Sequence, residues 1–372
     1  MKRAQQDLVS KDLTRKMVFL TGPRQVGKTS LALAIAEGQE HSVYLNYDNF
    51  SHREAIRQAA WLPETRLLIL DELHKMENWK NYLKGIYDTK AKHLQILVTG
   101  SARLETFRQS GDSLAGRFFR HRLNPLSMAE IPSATEQTLN HLLERGGFPE
   151  PYLAESMDDS SRWRLQYIDG LIRTDILDFE KVHDFKSIQL TLELLRQRVG
   201  SRVSYASLAR DVGCAANTIK RYIEIFEALY IIFRVTPQHK NIARSIQKEA
   251  KIYFYDNGMV IGGEGVRFEN LIAVSLLKHL NAIEDYKGQR TGLKTLRTKE
   301  KKEVDFVLMV ENKPVSMLEI KLSDAEISPT LRYFHKRYGI PAIQLVKNLQ
   351  LERVVDGIEL RKASRYLGNL EM

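Results

Sequence analysis

The sequence is short of the residues that would make it a disulfide-held or membrane-spanning chain. One cysteine, Cys214, stands among 372 residues, which excludes an intrachain disulfide and any metal site built from several thiolates. No apolar run approaches the roughly eighteen residues of a membrane span. The opening MKRAQQDLVSKD lacks the hydrophobic segment of a secretory signal. The expectation is therefore no membrane and a cytoplasmic location. Repeats and low-complexity tracts are also missing. Acidic residues are outnumbered, 46 against 56 Lys and Arg, for a net charge of +10. Such an excess favours polyanions, and nucleic acid is the first candidate.

What remains is an ordinary globular composition, 43% hydrophobic and 27% charged, in a chain long enough for two or three domains. Apolar runs at 16–20, 42–47, 66–70, 94–98 and 117–123 alternate, up to the fourth, with helix-length segments. Short continuous apolar strands between helices predict an α/β domain with a parallel sheet covered on both faces. NPLSMAEIPS breaks the pattern, a mostly helical stretch follows to about 230, and strands return from 250. The expected fold class is thus α/β throughout its two ends, with boundaries near 130 and 245.

GPRQVGKT, at 22–29, matches G-x-x-x-x-G-K-[ST]. Its glycines let the backbone curl so that N–H groups face phosphate oxygens, and the following helix points its positive end at the same anion. Gly22, Pro23, Arg24, Gln25, Val26, Gly27, Lys28, Thr29 and Ser30 are the candidate ATP contacts. Lys28 would hold the β- and γ-phosphates, and the Thr29 hydroxyl would face Mg2+. RLLILDELHK supplies the partner strand, bringing Asp71 to Mg2+ and Glu72 to the attacking water. The strand LQILV should lie between these two, with Ser101 or Thr99 at its end sensing the γ-phosphate; Ser101 is the choice. Arg117 precedes the fifth strand and suits a finger that reaches the γ-phosphate of a neighbouring subunit. A homo-oligomer, with a hexamer among the options, follows from that reading.

Two further constellations lie downstream. In SYASLARDVGCAANTIKRYIEIF, Ala209, Gly213 and Ile219 have the small–Gly–aliphatic spacing of a helix-turn-helix. Its second helix would expose Asn217, Thr218, Lys220 and Arg221 to DNA, and YIIFRV would start a wing. VDFVLMVENKPVSMLEIKL reads as a hairpin about Asn312 that sets Asp305 opposite Glu319, Val307 opposite Met317 and Met309 opposite Val315. Asp305, Glu319 and Lys321 then make the D…E-x-K set of a restriction-type nuclease. Glu269 would be a further Mg2+ or Mn2+ ligand, and Lys321 the group that activates water.

GPRQVGKT, DELHK with NWK, TGS with LAGR, NPLS, GGFPEPY (146–152) and RTDI (173–176) together resemble a prokaryotic AAA-type ATPase family. The resemblance runs nearly end to end. It implies an AAA-like P-loop domain over 1–130, a helical linker and winged helix-turn-helix over 131–245, and a restriction-endonuclease-like domain over 246–372. GGFP resembles a glycine–proline motif of signalling ATPases. The leading expectation is a Mg2+-dependent ATPase acting on or with DNA, with nuclease activity at its C-terminal end open. A signalling switch whose nucleotide state sets oligomerisation is one alternative, and a DNA-binding scaffold with a vestigial nuclease fold is another.

Overall fold

The computed structural model describes residues 2–100, 114–176, 184–238, 249–298, 302–323 and 326–372. The chain divides into two units, Met1–Asn124 with Ala228–Tyr230, and Pro125–Glu227 with Ile231–Met372.

In the first unit, α1 (Gln6–Leu13) leads into an alternation of β1 (Met17–Thr21), α2 (Lys28–Glu37), β2 (Ser42–Asn46), α3 (Phe50–Gln58), β3 (Leu67–Asp71), α4 (Trp79–Thr89), β4 (Gln95–Thr99) and β5 (Phe118–Arg122). The five strands form one parallel sheet in the order β2-β3-β4-β1-β5. β4 therefore separates β1 from β3, as the two-motif reading requires. β1 and β3 are buried at every position, which is why they read as unbroken apolar runs rather than alternating ones. Alternate side chains of one face, Met17, Phe19, Leu68, Leu70, Ile96 and Val98, pack with Ile56 of α3 and with Trp79 and Leu83 of α4. Phe19 stacks on Phe118 at 4.4 Å between centroids. Trp79 is thus a packing residue.

The second unit begins with helices: α5 (Glu136–Arg145), α6 (Pro149–Leu153), α7 (Met157–Gly170), α8 (Phe185–Arg196), α9 (Tyr205–Val212) and α10 (Ala216–Ala228). It continues through β6 (Ile232–Pro237), β7 (Lys251–Phe254), α11 (Glu264–Lys287), β8 (Thr291–Arg297), β9 (Glu303–Val310), β10 (Lys313–Ser323), α12 (Pro329–Tyr338), β11 (Ala342–Asn348), β12 (Arg353–Val355), β13 (Ile358–Lys362) and α13 (Ala363–Gly368). All eight strands belong to one mixed sheet, ordered β12-β13-β11-β10-β9-β8-β6-β7.

The compact units part at Asn124/Pro125, within a few residues of the boundary expected near 130, and no division between units falls near 245. β6 and β7 lie on either side of 245 and pair antiparallel, and β6 also joins β8. YIIFRV does open an antiparallel pair after α10, as the first strand of a wing would, and that pair forms the edge of the large sheet. In the β9–β10 hairpin Val307 does face Met317, but Met309 faces Pro314, not Val315. Glu311 and Asn312 both have positive φ, 48° and 60°, so the turn has two residues rather than pivoting on one. A bulge between Pro314 and Ser316 takes up the odd residue and restores the expected register toward Asp305.

GGFP is explained by packing. A Cβ on Gly146 would meet Asp256 Oδ1 at 2.0 Å, and one on Gly147 would meet the Leu126 carbonyl oxygen at 2.4 Å. Asp256 is buried and receives Arg164 Nε at 2.8 Å, joining α7 to the turn after β7. Burial pushes the Asp256 carboxyl up, and the guanidinium pulls it back. Arg164→Ala would strand that carboxylate away from water. Denaturant unfolding should show a loss of about 3–5 kcal/mol, the usual cost of orphaning one member of a buried pair.

Candidate nucleotide site

β1 ends at the sheet edge where the loop 22–27 begins, and the loop conformation depends on glycine. Gly22 has φ 144°, and a Cβ there would stand 2.2 Å from the Leu123 carbonyl oxygen. Gly27, at φ 99°, is the left-handed residue that opens α2. Gln25 also has positive φ, 58°. α2 starts with no side-chain cap and no acidic residue in its first turn. Its first N–H groups therefore point toward the loop with an anion as their natural acceptor. Lys28 is buried, and its ammonium donates to the carbonyls of Gly22 at 3.0 Å and Pro23 at 2.6 Å, across the mouth of the loop. Arg24, Gln25 and Ser30 are exposed and Val26 is fully buried. Behind the loop, the buried Arg3 donates to the Val26 carbonyl at 2.9 Å. The curled glycines, uncapped helix start and lysine fit a nucleotide's phosphate chain.

Asp71 lies at the carboxyl end of β3, almost wholly buried. Thr29 Oγ1 donates to its Oδ2 at 2.9 Å and Tyr44 Oη to the same oxygen at 2.7 Å, while Thr99 Oγ1 donates to Oδ1. Thr29 and Asp71 are thus adjacent, as a shared Mg2+ requires, and both offer oxygen ligands of the hard type this ion takes. Burial first, then the bond to Asp71, pushes the Tyr44 phenol up to about 12. Tyr44 went unrecognised in the sequence because it sits in an apolar run on β2. Only the pairing of Asn46 with Asp71 brings it within a diagonal reach.

Glu72 follows with left-handed backbone, φ 55°. Its side chain is largely buried, 3.6 Å from Lys75 Nζ and 3.5 Å from His74 Nε2. Burial raises its pKa, Lys75 lowers it, and Asp71 raises it further. Ser101 lies outside the described residues. Thr99, the alternative at the end of β4, is buried against Asp71. Arg117 stands at the opposite edge of the sheet, where its carbonyl accepts from Met17 N. A five-residue strand, about 17 Å long, separates it from its own phosphate loop. Its guanidinium grips Asp88 of α4 at 2.8 and 3.0 Å.

A second cluster of carboxylates lies in the other unit. Glu269 on α11, Glu303 and Asp305 on β9, and Glu319 and Lys321 on β10 do converge, but on a lysine. Lys251 of β7 is buried, with Nζ 3.2 Å from Glu269 Oε1, 3.1 Å from Glu303 Oε1 and 3.5 Å from Asp305 Oδ1. Asp305 Oδ2 accepts from Ile320 N at 3.0 Å. Lys321 is bound to Glu319 Oε1 at 2.9 Å, and Arg202 to Glu303 Oε2 at 3.0 Å. Burial, then Asp305, pushes the Glu319 carboxyl up to about 7, with Lys321 pulling it back. Among the described residues no group of three or more His, Cys, Asp or Glu side chains is placed to hold a metal ion. The expected set of Glu269, Asp305 and Glu319 thus meets in space but does not fit Mg2+, because ammonium groups already answer its charge. Lys251 opens a strand that reads as apolar, which is why the sequence hides it.

A parallel five-stranded sheet with this loop, lysine and acidic strand defines an α/β domain of the P-loop NTPase kind. Comparison agrees: residues 14–132 match the family model of an AAA domain, 136–266 a domain of unknown function (DUF8612) and 264–362 another (DUF4143). An uncharacterized protein of Mycobacterium tuberculosis is 27% identical over 248 residues, 66% of this chain and 55% of that protein. The chain therefore spans about half the length of that relative. An uncharacterized protein of Methanocaldococcus jannaschii is 21% identical, covering 94% of this chain and 82% of its own. Among solved structures, the RuvB Holliday junction branch migration motor of Thermotoga maritima is 17% identical, covering 62% of this chain and 87% of its own, with a TM-score of 0.32. The ORC1 protein of Aeropyrum pernix in complex with DNA is 12% identical over 73% of this chain and 91% of its own, with a TM-score of 0.34. Scores this low carry no functional weight. Among the described residues no helix is long and apolar enough to cross a membrane.

Tyr44 contributes a hydrogen bond to a buried carboxyl group that keeps two other donors. Tyr44→Phe should therefore cost about 1–2 kcal/mol of stability, read by chemical denaturation.

Proposed function

We propose that the chain is a Mg2+-dependent ATPase that works on DNA, and that it turns over ATP in an assembly of its own copies. Lys28 binds the β- and γ-phosphates, Thr29 and Asp71 face Mg2+, and Glu72 accepts a proton from the attacking water. Mg2+ would supply charge neutralisation at the phosphates. Thr99 and Ser101 are the candidates for sensing the γ-phosphate. Arg117, too far from its own loop, serves the site of a neighbouring copy.

The DNA reading is carried by α10. Gly213, at φ 78°, closes the turn after α9 by donating to the Ala209 carbonyl, and Leu208, Ala209, Ile219 and Ile223 are buried between the helices. This packing leaves Asn217, Lys220 and Arg221 on the exposed face of α10, with Thr218 half-buried beside them. The three exposed side chains are types that bind phosphates and base edges. The net charge of +10 supports the same partner. A signalling switch is the second reading, and the GGFP glycines that point to it also have a packing role. Nuclease action is not part of the proposal.

Lys28→Ala should abolish nucleotide binding in a titration calorimeter. Glu72→Gln should keep binding and lose turnover. A base must be ionised to accept a proton, and burial raises the Glu72 pKa. Turnover should therefore fail on acidification at a higher pH than an ordinary carboxylate would dictate.

DNA should stimulate phosphate release. Lys220→Ala with Arg221→Ala should remove the stimulation and flatten the salt dependence of DNA binding, by about one unit of slope for each phosphate no longer neutralised. Stimulation untouched by both substitutions would sink the DNA role of α10.

A further inference from the structure

The carboxylate cluster has an occupant and a structural neighbour, and the two together suggest its work. Lys251 contacts three carboxylates from two elements: Glu269 on a helix, Glu303 and Asp305 on a strand. Tyr253, two residues along β7, donates to the same Glu269 oxygen at 2.6 Å. Among the described residues Glu269, Glu303, Asp305 and Glu319 face Lys251, Lys321, Arg202 and Arg297, which offset much of the negative charge that would draw a divalent cation, while Glu319 Oε2 is buried without a hydrogen-bond partner.

The same residues tie down the segment that enters the helix-turn-helix. Arg202 runs antiparallel beside Lys251, Gly200 N donates to the Ile252 carbonyl at 3.1 Å and Val203 N to the Ala250 carbonyl at 3.0 Å. Arg202 then grips Glu303 with Nε at 3.2 Å and Nη2 at 3.0 Å. Gly200 keeps space for Glu269, whose carboxylate lies 3.1 Å from where a Cβ would stand. One residue past this short pairing, Ser204 caps α9.

We infer that this centre is a metal-free ion-pair joint, in which the Lys251 ammonium holds the place a divalent cation would take and fixes the helix-turn-helix to the edge of the large sheet. The inference rests on the reading of α10 as the DNA-facing helix only for its consequence in binding, not for the joint itself. A joint of fixed charges keeps α9 and α10 at one angle to the sheet without depending on metal supply.

The test uses the full chain carrying Asp71→Asn, which removes the nucleotide-site metal carboxylate. Mn2+ titrated into this protein without nucleotide should show no saturable binding. Lys251→Met in the same background leaves Glu269, Glu303 and Asp305 around a vacated cation position. It should gain saturable Mn2+ binding, lost again with Asp305→Asn. Should the Met variant fail to fold, Arg202→Gln with Lys251 intact is the second probe. Amide exchange at 200–203 and along α9 should then rise about tenfold or more, as loss of a buried tie permits. Saturable Mn2+ binding by the protein with Lys251 in place, abolished by Asp305→Asn, would overturn the inference. So would unchanged exchange in the Arg202 variant. Neither result touches the ATPase or DNA readings, which fail separately on phosphate release and on the α10 substitutions.

Discussion

A carboxylate kept from water must be given hydrogen bonds, and the nucleotide-binding unit is arranged around how Asp71 receives them. Its three donors come from three elements: Thr29 from the first turn of α2, Tyr44 from β2 and Thr99 from β4. Each donor fixes a relation between elements. Tyr44 and Thr99 hold the strands on either side of β3 in register, and Thr29 ties the phosphate loop to the strand that carries the acidic pair. An unpaired buried carboxylate would cost several kcal/mol or lose its charge, so the order β2-β3-β4-β1 and the chemistry at its edge are set together.

The loop itself is held from outside the motif. Gly22 can sit against the Leu123 carbonyl only because it lacks a Cβ, and Arg3 braces the Val26 carbonyl from behind while also donating to the carbonyl of Asn124. The residues that end β5 therefore help shape a loop a hundred residues earlier in the chain. A glycine required by close approach and a glycine required by positive φ are different constraints, and Gly22 meets both.

Much of this was legible in the sequence. Continuous apolar runs marked β1, β3 and β4, because a strand buried on both faces has no polar side to show, while the half-buried edge strands β2 and β5 showed through shorter apolar stretches. The loop, Asp71 and Glu72 were read from short spacings that depend on local geometry. The two helices that meet at Gly213 were legible too, since Ala209, Gly213 and Ile219 encode one turn. What was not legible was long-range: Tyr44 reaching Asp71 across two strands, and Lys251 reaching residues from 269 to 305. The β9–β10 register was right at Val307–Met317 and wrong at Met309, because a bulge leaves no compositional mark. β8, β12 and β13 were missed where mixed polar residues such as TGLKTLR and RVV carry too little apolar signal. The boundary expected near 245 has no counterpart between the compact units, as pairing between β6 and β7 is not visible in composition.

Two of the buried acidic centres among the described residues, those at Asp71 and at Asp305, are satisfied by opposite means. Around Asp71 the donors described above are hydroxyls, which satisfy the lone pairs but leave the full negative charge in place. A cation approaching that carboxylate still gains from it, and Thr29 can turn an oxygen toward the same ion. Around Asp305 the donors are a backbone amide and an ammonium, and the neighbouring acids meet Lys251, Lys321 and Arg202. A divalent cation there would have to displace fixed cations whose own burial depends on those acids, exchanging one buried charge for another with no net attraction to drive it. The number of carboxylates therefore does not predict which centre takes metal. Asp71 has only hydroxyl donors, whereas the larger cluster already has ammonium and guanidinium groups beside it.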